Sequence, residues 1–454
     1  QVTAVGTAAQ IENLMMTVGF GVASGAGIFM SQFFGKQDLK SEKKAFGLGV
    51  ILSLINALVW MAASVFFGRQ LMRFYIPDPT VIESALQYLM IAMISYLPGA
   101  LITMFSFAYR CIQKTHVPML IGLVSMAVNI VLNYCLIFGH FGFPQMGVQG
   151  AALATLIAQT VSCILVAVTL LRSKESYQII PKKIRIDKPM LMQIVRLGIP
   201  SGLQQMIVSF SNVLVMSYVN RFGSAAIAGF SSANKFDNFL GLPVNSFMLA
   251  ITTFVGQNFG ARKIDRIHKS VKVCLAMAFG TALGISGILI GIVIAIGIPA
   301  YLFSDLCIRM FSQEADVIYY GSWMMRTLVP FYSILNIAQV LTGAVRGTGN
   351  TTVPMLINVF YYCIIRQVFL AVAMMFVNSI VVVFWSYPLT WTLSAVTLFI
   401  YYKRGSCSAS SLFPFNTLTR SLRANVITHR SVSRLALPFS IRSPSRNRVS
   451  CPGI

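Results

Sequence analysis

Charged residues are scarce in this chain. They make up 10% of its 454 residues, and only 12 residues are acidic. A water-soluble domain carries about 25% charged residues, so the composition excludes that class. The chain lacks a Gly-rich phosphate-binding loop, so no nucleotide-driven motor is visible. Its eight cysteines show no CxxC or Cys/His spacing. We therefore expect no disulfide framework, no metal site, no bound cofactor and no enzymatic activity.

Long runs without any Asp, Glu, Lys or Arg take the place of the missing charges. The chain is 56% hydrophobic, with a mean hydropathy of +0.74. A helix needs about 20 apolar residues to cross a bilayer. The runs provide ten such spans once the two longest fold back, at residues 138–147 and near Asn378, and a stretch interrupted only by Arg326 makes an eleventh. We predict an all-α polytopic membrane protein, with uncharged runs at 13–35, 45–68, 84–109, 115–171, 197–220, 238–261, 273–304 and 367–402 and the further span at about 319–343.

The basic residues follow a membrane pattern. The net charge of +23 would suit a nucleic-acid-binding protein, but its distribution does not. If the first span starts outside, the loops that fall inside carry nineteen Lys or Arg and those outside carry four. This asymmetry is the positive-inside rule. We predict a multi-pass protein of the plasma (inner) membrane with a cytoplasmic C-terminus, in contact with the lipid bilayer and with no nucleic acid.

The chain contains an internal repeat. "IENLM" at 11–15 and "FDNFL" at 236–240 both place an acid before Asn. We call the separation in sequence from residue 11 to residue 236 the first offset of the repeat. "YRCIQKTHVPML" at 109–120 matches "VRGTGNTTVPML" at 345–356. The separation from residue 109 to residue 345 is the second offset. Two repeated segments in the same order indicate that the chain arose by duplication and forms two lobes. This architecture is typical of secondary transporters. The second half has six spans and the first has five, so we expect that a first helix is missing before Gln1.

Four motifs resemble the multidrug and toxic compound extrusion (MATE) family: "SQFFGKQDLKSEKKA", "LGIPSGLQQ", "VGQNFGARKIDRI" and "VRGTGNTTVPML". The resemblance implies two six-helix lobes around a V-shaped cavity, alternating access by rocking, and a monomer. It also implies export of small organic, often cationic compounds in exchange for H⁺ or Na⁺. The chain departs from the family in two helices. Many members carry an aspartate in the missing first helix, and the tenth family helix, about 319–342, has no acid in its apolar part.

The repeat and the resemblance together predict the domain organisation. The N lobe, 1–172, holds helices 2–6 of the family pattern, and the C lobe, 195–404, holds helices 7–12. A basic cytoplasmic linker, 173–194, joins them. Residues 405–454 form a tail rich in Ser and Arg and free of acids. This tail is either a basic disordered segment that binds anionic lipid heads or the product of a shifted reading frame.

Glu12 and Asp237 are the leading candidates for binding the substrate or the coupling ion. Each lies at the same repeat position, inside or beside an uncharged span, where an ionised group costs about 3 kcal/mol or more. A carboxylate in a water-filled cavity can take up H⁺ or Na⁺ and also attract a cationic compound. The alternative is a structural acid paired with a base. Arg326 and Arg366 are candidate partners of Asp237, whereas Lys235 lies on another helical face.

Other polar residues complete the candidate site. Asn13 and Asn238 follow the two acids directly. Arg366 lies near mid-membrane, where it either serves transport or holds its lobe together. We place Pro200 at a helix start and Pro243 inside a helix, where it frees backbone groups next to Asn245.

Two other functions compete with drug export. A lipid-linked oligosaccharide flippase of the same superfamily needs several cations around a pyrophosphate, and this chain offers only scattered ones, Arg326 and Arg366. A non-transporting scaffold or truncated remnant is the other alternative.

Overall fold

Helices form almost all of the backbone in the computed structural model, which describes residues 2–75, 79–172, 187–286 and 304–407. Within these ranges there is no strand. The tail beyond residue 407 lies outside the described residues, as does most of the predicted linker. The helices are α1 (Val2–Gly35), α2 (Leu39–Tyr75), α3 (Pro79–Ala92), α4 (Tyr96–Cys111), α5 (His116–Phe138), α6 (Val148–Arg172), α7 (Lys188–Val219), α8 (Ser224–Gly260), α9 (Ile264–Ser286), α10 (Ser304–Arg309), α11 (Ala315–Leu328), α12 (Tyr332–Gly347), α13 (Thr352–Val359), α14 (Arg366–Phe376) and α15 (Ile380–Cys407).

Nine helical stretches of the described chain are long and apolar enough to cross a membrane. Three of them join neighbouring helices: α3 with α4, α11 with α12, and α13 with α14. The all-α membrane class is therefore confirmed, and so are the two predicted reversals. α5 ends at Phe138 and α6 begins at Val148, while α14 ends at Phe376 and α15 begins at Ile380. α7 covers the predicted span at 197–220 but is not among the nine, and the span at 273–304 lies partly outside the described residues.

Proline positions differ in part from the prediction. Pro243 lies inside α8 as predicted. Pro200 was placed at a helix start, and this is wrong, because α7 begins at Lys188 and runs through Pro200. The true start carries its own signal: the Asp187 side chain accepts a hydrogen bond from the Met190 amide and a proline follows at the first turn.

The two lobes have separate cores built around equivalent helices. In the N lobe, α1 packs against α2 and α4, and in the C lobe, α8 packs against α11 and α12. Backbone details repeat at the predicted offsets. Gln37 and Arg262, related by the first offset, both have positive φ angles, 62° and 58°. Gln113 and Gly349, related by the second offset, also both have positive φ angles. These matched turns support the duplication read from the sequence.

Small residues bring the lobes together where α1 crosses α7. A Cβ on Gly21 would lie 2.7 Å from the Cα atom of Gly202, and one on Gly25 would lie 2.6 Å from the Ile194 carbonyl oxygen. A side chain at either position would force the helices apart. The spacing of small residues along α1 therefore serves close helix contact.

Candidate functional site

Asp237 of α8 points at an aromatic wall inside the C lobe. Its carboxylate accepts a hydrogen bond from the Tyr332 hydroxyl, at the start of α12. Tyr332 is 2% exposed, and its ring packs edge-on against Trp391 with centroids 5.7 Å apart. Trp391 in turn contacts the ring of Tyr387 at 6.1 Å. Because the wall holds Tyr332 in place, the hydroxyl is fixed as a donor to the acid.

Arg366 is the cation whose charge acts on this acid. Its side chain is 2% exposed, and its charge interacts electrostatically with Asp237. The guanidinium lies over the Tyr387 ring, 4.3 Å from the centroid. Nη1 donates to Asn212 Oδ1 at 3.2 Å, and Nη2 donates to Thr390 Oγ1 at 3.1 Å. Aromatic faces and neutral oxygens thus hold a buried positive charge within electrostatic range of the carboxylate.

A change of helix type precedes Arg366. Residues Phe360–Ile365 form a π-helix between α13 and α14. Single π-turns are rare and often occur at functional sites. This turn sets the direction in which Arg366 leaves the backbone.

The other predicted bases do not reach Asp237. The Arg326 guanidinium pairs with Asp305 at 3.1 Å and donates through Nε to Ser304. Lys235 lies over the Phe311 ring, 4.7 Å from its centroid. Of the two partners proposed for the acid, the structure therefore supports Arg366 and assigns Arg326 to an exposed ion pair.

Glu12 of α1 occupies a different environment in the N lobe. It is partly buried beside the side-chain amide of Gln159 from α6. Two tyrosines, Tyr88 and Tyr96, lie close enough to interact with its charge. Among the described residues, no Lys or Arg forms an ion pair with Glu12. Among the residues that the structure describes, the groups that interact with Glu12 are thus neutral and polar.

Some polar atoms along α1 in the N lobe have no hydrogen-bond partner. Gln159 Oε1 is buried and unbonded, as is Asn56 Nδ2 of α2. A Cβ on Gly99 would lie 2.9 Å from that Gln159 oxygen, and one on Gly19 would lie 3.3 Å from that Asn56 nitrogen. Small residues thus surround groups that a water, an ion or a substrate must satisfy.

The remaining predicted residues lie on exposed surfaces. Asn13, Asn238 and Asn245 are all exposed. The structure brings Asp237 and Arg366 together and leaves these three amides outside the buried clusters. Their predicted ligand-binding role stays a prediction.

Sequence reasoning missed Tyr332 and Asn336. Asn336 lies one turn beyond Tyr332 on the same face of α12, is fully buried, and has neither amide atom bonded. The span at about 319–342 contains no acid in its apolar part, so its sequence gives no obvious ionisable candidate. A buried amide one turn from a tyrosine, in a span without any acid, is the signal that could have revealed them.

Known proteins resemble this chain in sequence. The MatE family model matches residues 1–135 and 200–372. The chain is 25% identical over 350 residues to the probable multidrug resistance protein YoeA of Bacillus subtilis, covering 76% of this chain and 73% of that protein. It is also 25% identical over 413 residues to the probable multidrug resistance protein YpnP of the same organism, covering 90% and 89%.

The fold is also shared with a solved structure. It superposes with a TM-score of 0.81 and 19% identity on an outward-facing multidrug resistance MATE family transporter of the MOP superfamily, covering 90% of this chain and 88% of that one. At this level of identity the likeness concerns the fold.

Proposed function

The chain belongs to the MatE family of multidrug transporters, and we propose that it is a cation-coupled exporter. It exchanges H⁺ or Na⁺ for small organic, often cationic compounds by alternating access between its two lobes. The membrane is the plasma membrane, with the C-terminus in the cytoplasm, and the working unit is a monomer.

The observation that carries this proposal is Asp237 between Tyr332 and Arg366. An ionisable group within a spanning helix is expensive and marks an ion or substrate pathway. The carboxylate can hold a proton, a metal ion or a cationic compound, but not two of them at once. Competition for one carboxylate is the simplest way to exchange an ion for a drug.

The oxygens around Asp237 suit a small cation. The Tyr332 hydroxyl contacts the carboxylate directly, and the Asn336 amide lies one turn further along α12. Pro243 has no N–H, so the Phe239 carbonyl two residues after the acid lacks its helical donor. Carboxylate, hydroxyl, amide and carbonyl oxygens are the ligands that hard cations prefer. Na⁺ and H⁺ therefore both remain candidates for the coupling ion.

The test is Asp237→Asn in proteoliposomes. An imposed Na⁺ or pH gradient should drive a cationic dye across the membrane with the wild-type chain and give no coupled flux with the variant. The matched control is Asp265→Asn, an exposed acid in the first turn of α9, which should transport as the wild type does. Unimpaired coupled flux in a properly inserted Asp237→Asn variant contradicts the assignment.

The flippase alternative fits the geometry less well. A lipid pyrophosphate needs several cations converging on one cavity. Arg326 is taken by Asp305 at the surface, and Arg366 is enclosed by Tyr387, Asn212 and Thr390. Arg326 and Arg366 thus bind different groups and do not converge on one cavity, so we do not propose the flippase function.

A further inference from the structure

Two equivalent glutamines join the lobes at one end of the helices. This end, which we call the basic end, is where the turns holding Lys36 and Arg262 lie. Gln32 of α1 donates through Nε2 to the Gly347 carbonyl, the last residue of α12, at 3.1 Å. Gln257 of α8 donates through Nε2 to the Cys111 carbonyl, the last residue of α4, at 2.8 Å. Each bond runs from one lobe to the other.

The two bonds obey the internal repeat at both of its offsets. Gln32 and Gln257 are related by the first offset, and their acceptors Cys111 and Gly347 are related by the second. The same glutamine-to-carbonyl bond therefore occurs twice, once from the N lobe to the C lobe and once from the C lobe to the N lobe. Chance polar contacts at a helix end have no reason to follow the duplication so closely.

The backbones also touch at this point. A Cβ on Gly35 would collide with the Gln257 carbonyl oxygen, and a Cβ on Gly260 would collide with the Gln32 carbonyl oxygen. Gly35 and Gly260 are again related by the first offset of the repeat. The glycines let α1 and α8 cross at their ends, which places each glutamine within reach of the opposite lobe.

The glutamine contact is stronger on one side than on the other. Gln113, just after α4, donates through Nε2 to Gln257 Oε1 at 2.8 Å, so Gln257 makes two bonds across the lobes. The equivalent of Gln113 is Gly349, which has no side chain and leaves Gln32 with one such bond. Gln257 is also 7% exposed, so its bonds are shielded from water.

We propose that Gln32 and Gln257 form a latch that closes the lobes at the basic end and must open once in each transport cycle. This inference rests on the alternating access proposed above. It explains why the lobes are joined here by a few modest hydrogen bonds, which are strong enough to favour closure and weak enough to be broken repeatedly.

A native thiol reports whether the latch is open. Cys111 is 1% exposed, and its Sγ lies 3.1 Å from Ser31 Oγ and 3.2 Å from the Gly27 carbonyl oxygen. Because the Cys111 carbonyl is the group that Gln257 binds from the other lobe, we expect the thiol to become more accessible when that bond is broken. The experiment measures the rate at which a water-soluble maleimide labels Cys111 in protein held in lipid nanodiscs, read by peptide mass spectrometry. Cys307, which lies in α10 away from the latch, serves as the reference thiol for intact folding.

Two variants should open the latch. The double change Gln32→Met and Gln257→Met keeps side-chain size but removes the donors, and we expect Cys111 labelling to rise about tenfold. Gly260→Ala introduces the collision and should raise labelling at least as much. Gly241→Ala is the matched control in the same helix, because a Cβ there meets nothing within 4 Å, and it should label as the wild type does.

Either result decides the proposal. Wild-type labelling of Cys111 in the double methionine variant, with Cys307 unchanged, overturns the latch even if Gly260→Ala fails to fold. Labelling needs no substrate, so the latch and the transport function fail separately. Faster labelling in a chain that exchanges no ion for dye keeps the latch and rejects the exporter.

Discussion

The two lobes hold their equivalent acids in opposite ways. In the C lobe, Asp237 has a hydroxyl donor in Tyr332 and a buried positive charge nearby in Arg366. In the N lobe, Glu12 has the neutral amide of Gln159 and no ion-pair partner among the described residues. The two acids occupy equivalent positions of the repeat, but the side chains around them differ between the lobes. A ligand that binds Asp237 must therefore compete with a fixed hydroxyl donor and a nearby positive charge, whereas one that approaches Glu12 meets neutral polar groups among the described residues.

The largest predicted effect comes from removing the C-lobe cation. Arg366→Gln should lower the free energy of unfolding by about 3–5 kcal/mol, because it removes the buried guanidinium's bonds to Asn212 and Thr390, its contact with an aromatic ring and a positive charge near Asp237. Arg326→Gln breaks only an exposed pair with Asp305 and should cost about 1 kcal/mol or less. Thermal unfolding in detergent, followed by tryptophan fluorescence, measures both. Equal losses would show that Arg366 is not tied to the acid.

Neutralising the two acids should change stability in opposite directions. At pH 8, Asp237→Asn should destabilise the chain by about 2 kcal/mol, since it leaves Arg366 buried without a negative partner. Glu12→Gln should stabilise it by about 1 kcal/mol, since it removes a partly buried charge that has no cation to offset its desolvation. The same unfolding assay tests both variants. A change in the free energy of unfolding with the same sign in both variants would contradict the proposed difference between the lobes.

The smallest effects are expected at the amides beside the acids. Asn13 and Asn238 are both exposed, so Asn13→Ala and Asn238→Ala should each change the free energy of unfolding by less than about 0.5 kcal/mol. Dye export should stay within about twofold of the wild type. A larger loss of export at unchanged stability would extend the ligand site onto that amide and sharpen which lobe binds the substrate.

Several parts of the fold follow from local sequence signals. Uncharged runs mark the spans because the bilayer excludes charge, and the reversal near Asn378 appears where predicted. The equivalence of Glu12 and Asp237 also follows, since the repeat preserves an acid followed by Asn. These signals need no knowledge of which helices touch.

Other parts depend on contacts distant in sequence. Pro200 looks like a helix start, but packing of α7 against α1 carries the helix through it. The partner of Asp237 cannot be chosen between Arg326 and Arg366 by spacing, because Asp305 competes for the first. Tyr332 becomes part of the site only when α12 packs on α8. The residues around Asp237 could therefore be identified only from the folded structure.

The π-helix at Phe360–Ile365 makes the direction of Arg366 depend on the length of the chain as well as on its chemistry. A π-turn holds one residue more than an α-turn, so this segment accommodates a residue that a regular α-helix of the same rise would not. The position of the guanidinium over the Tyr387 ring therefore rests on the backbone that precedes it as much as on the side chains that surround it.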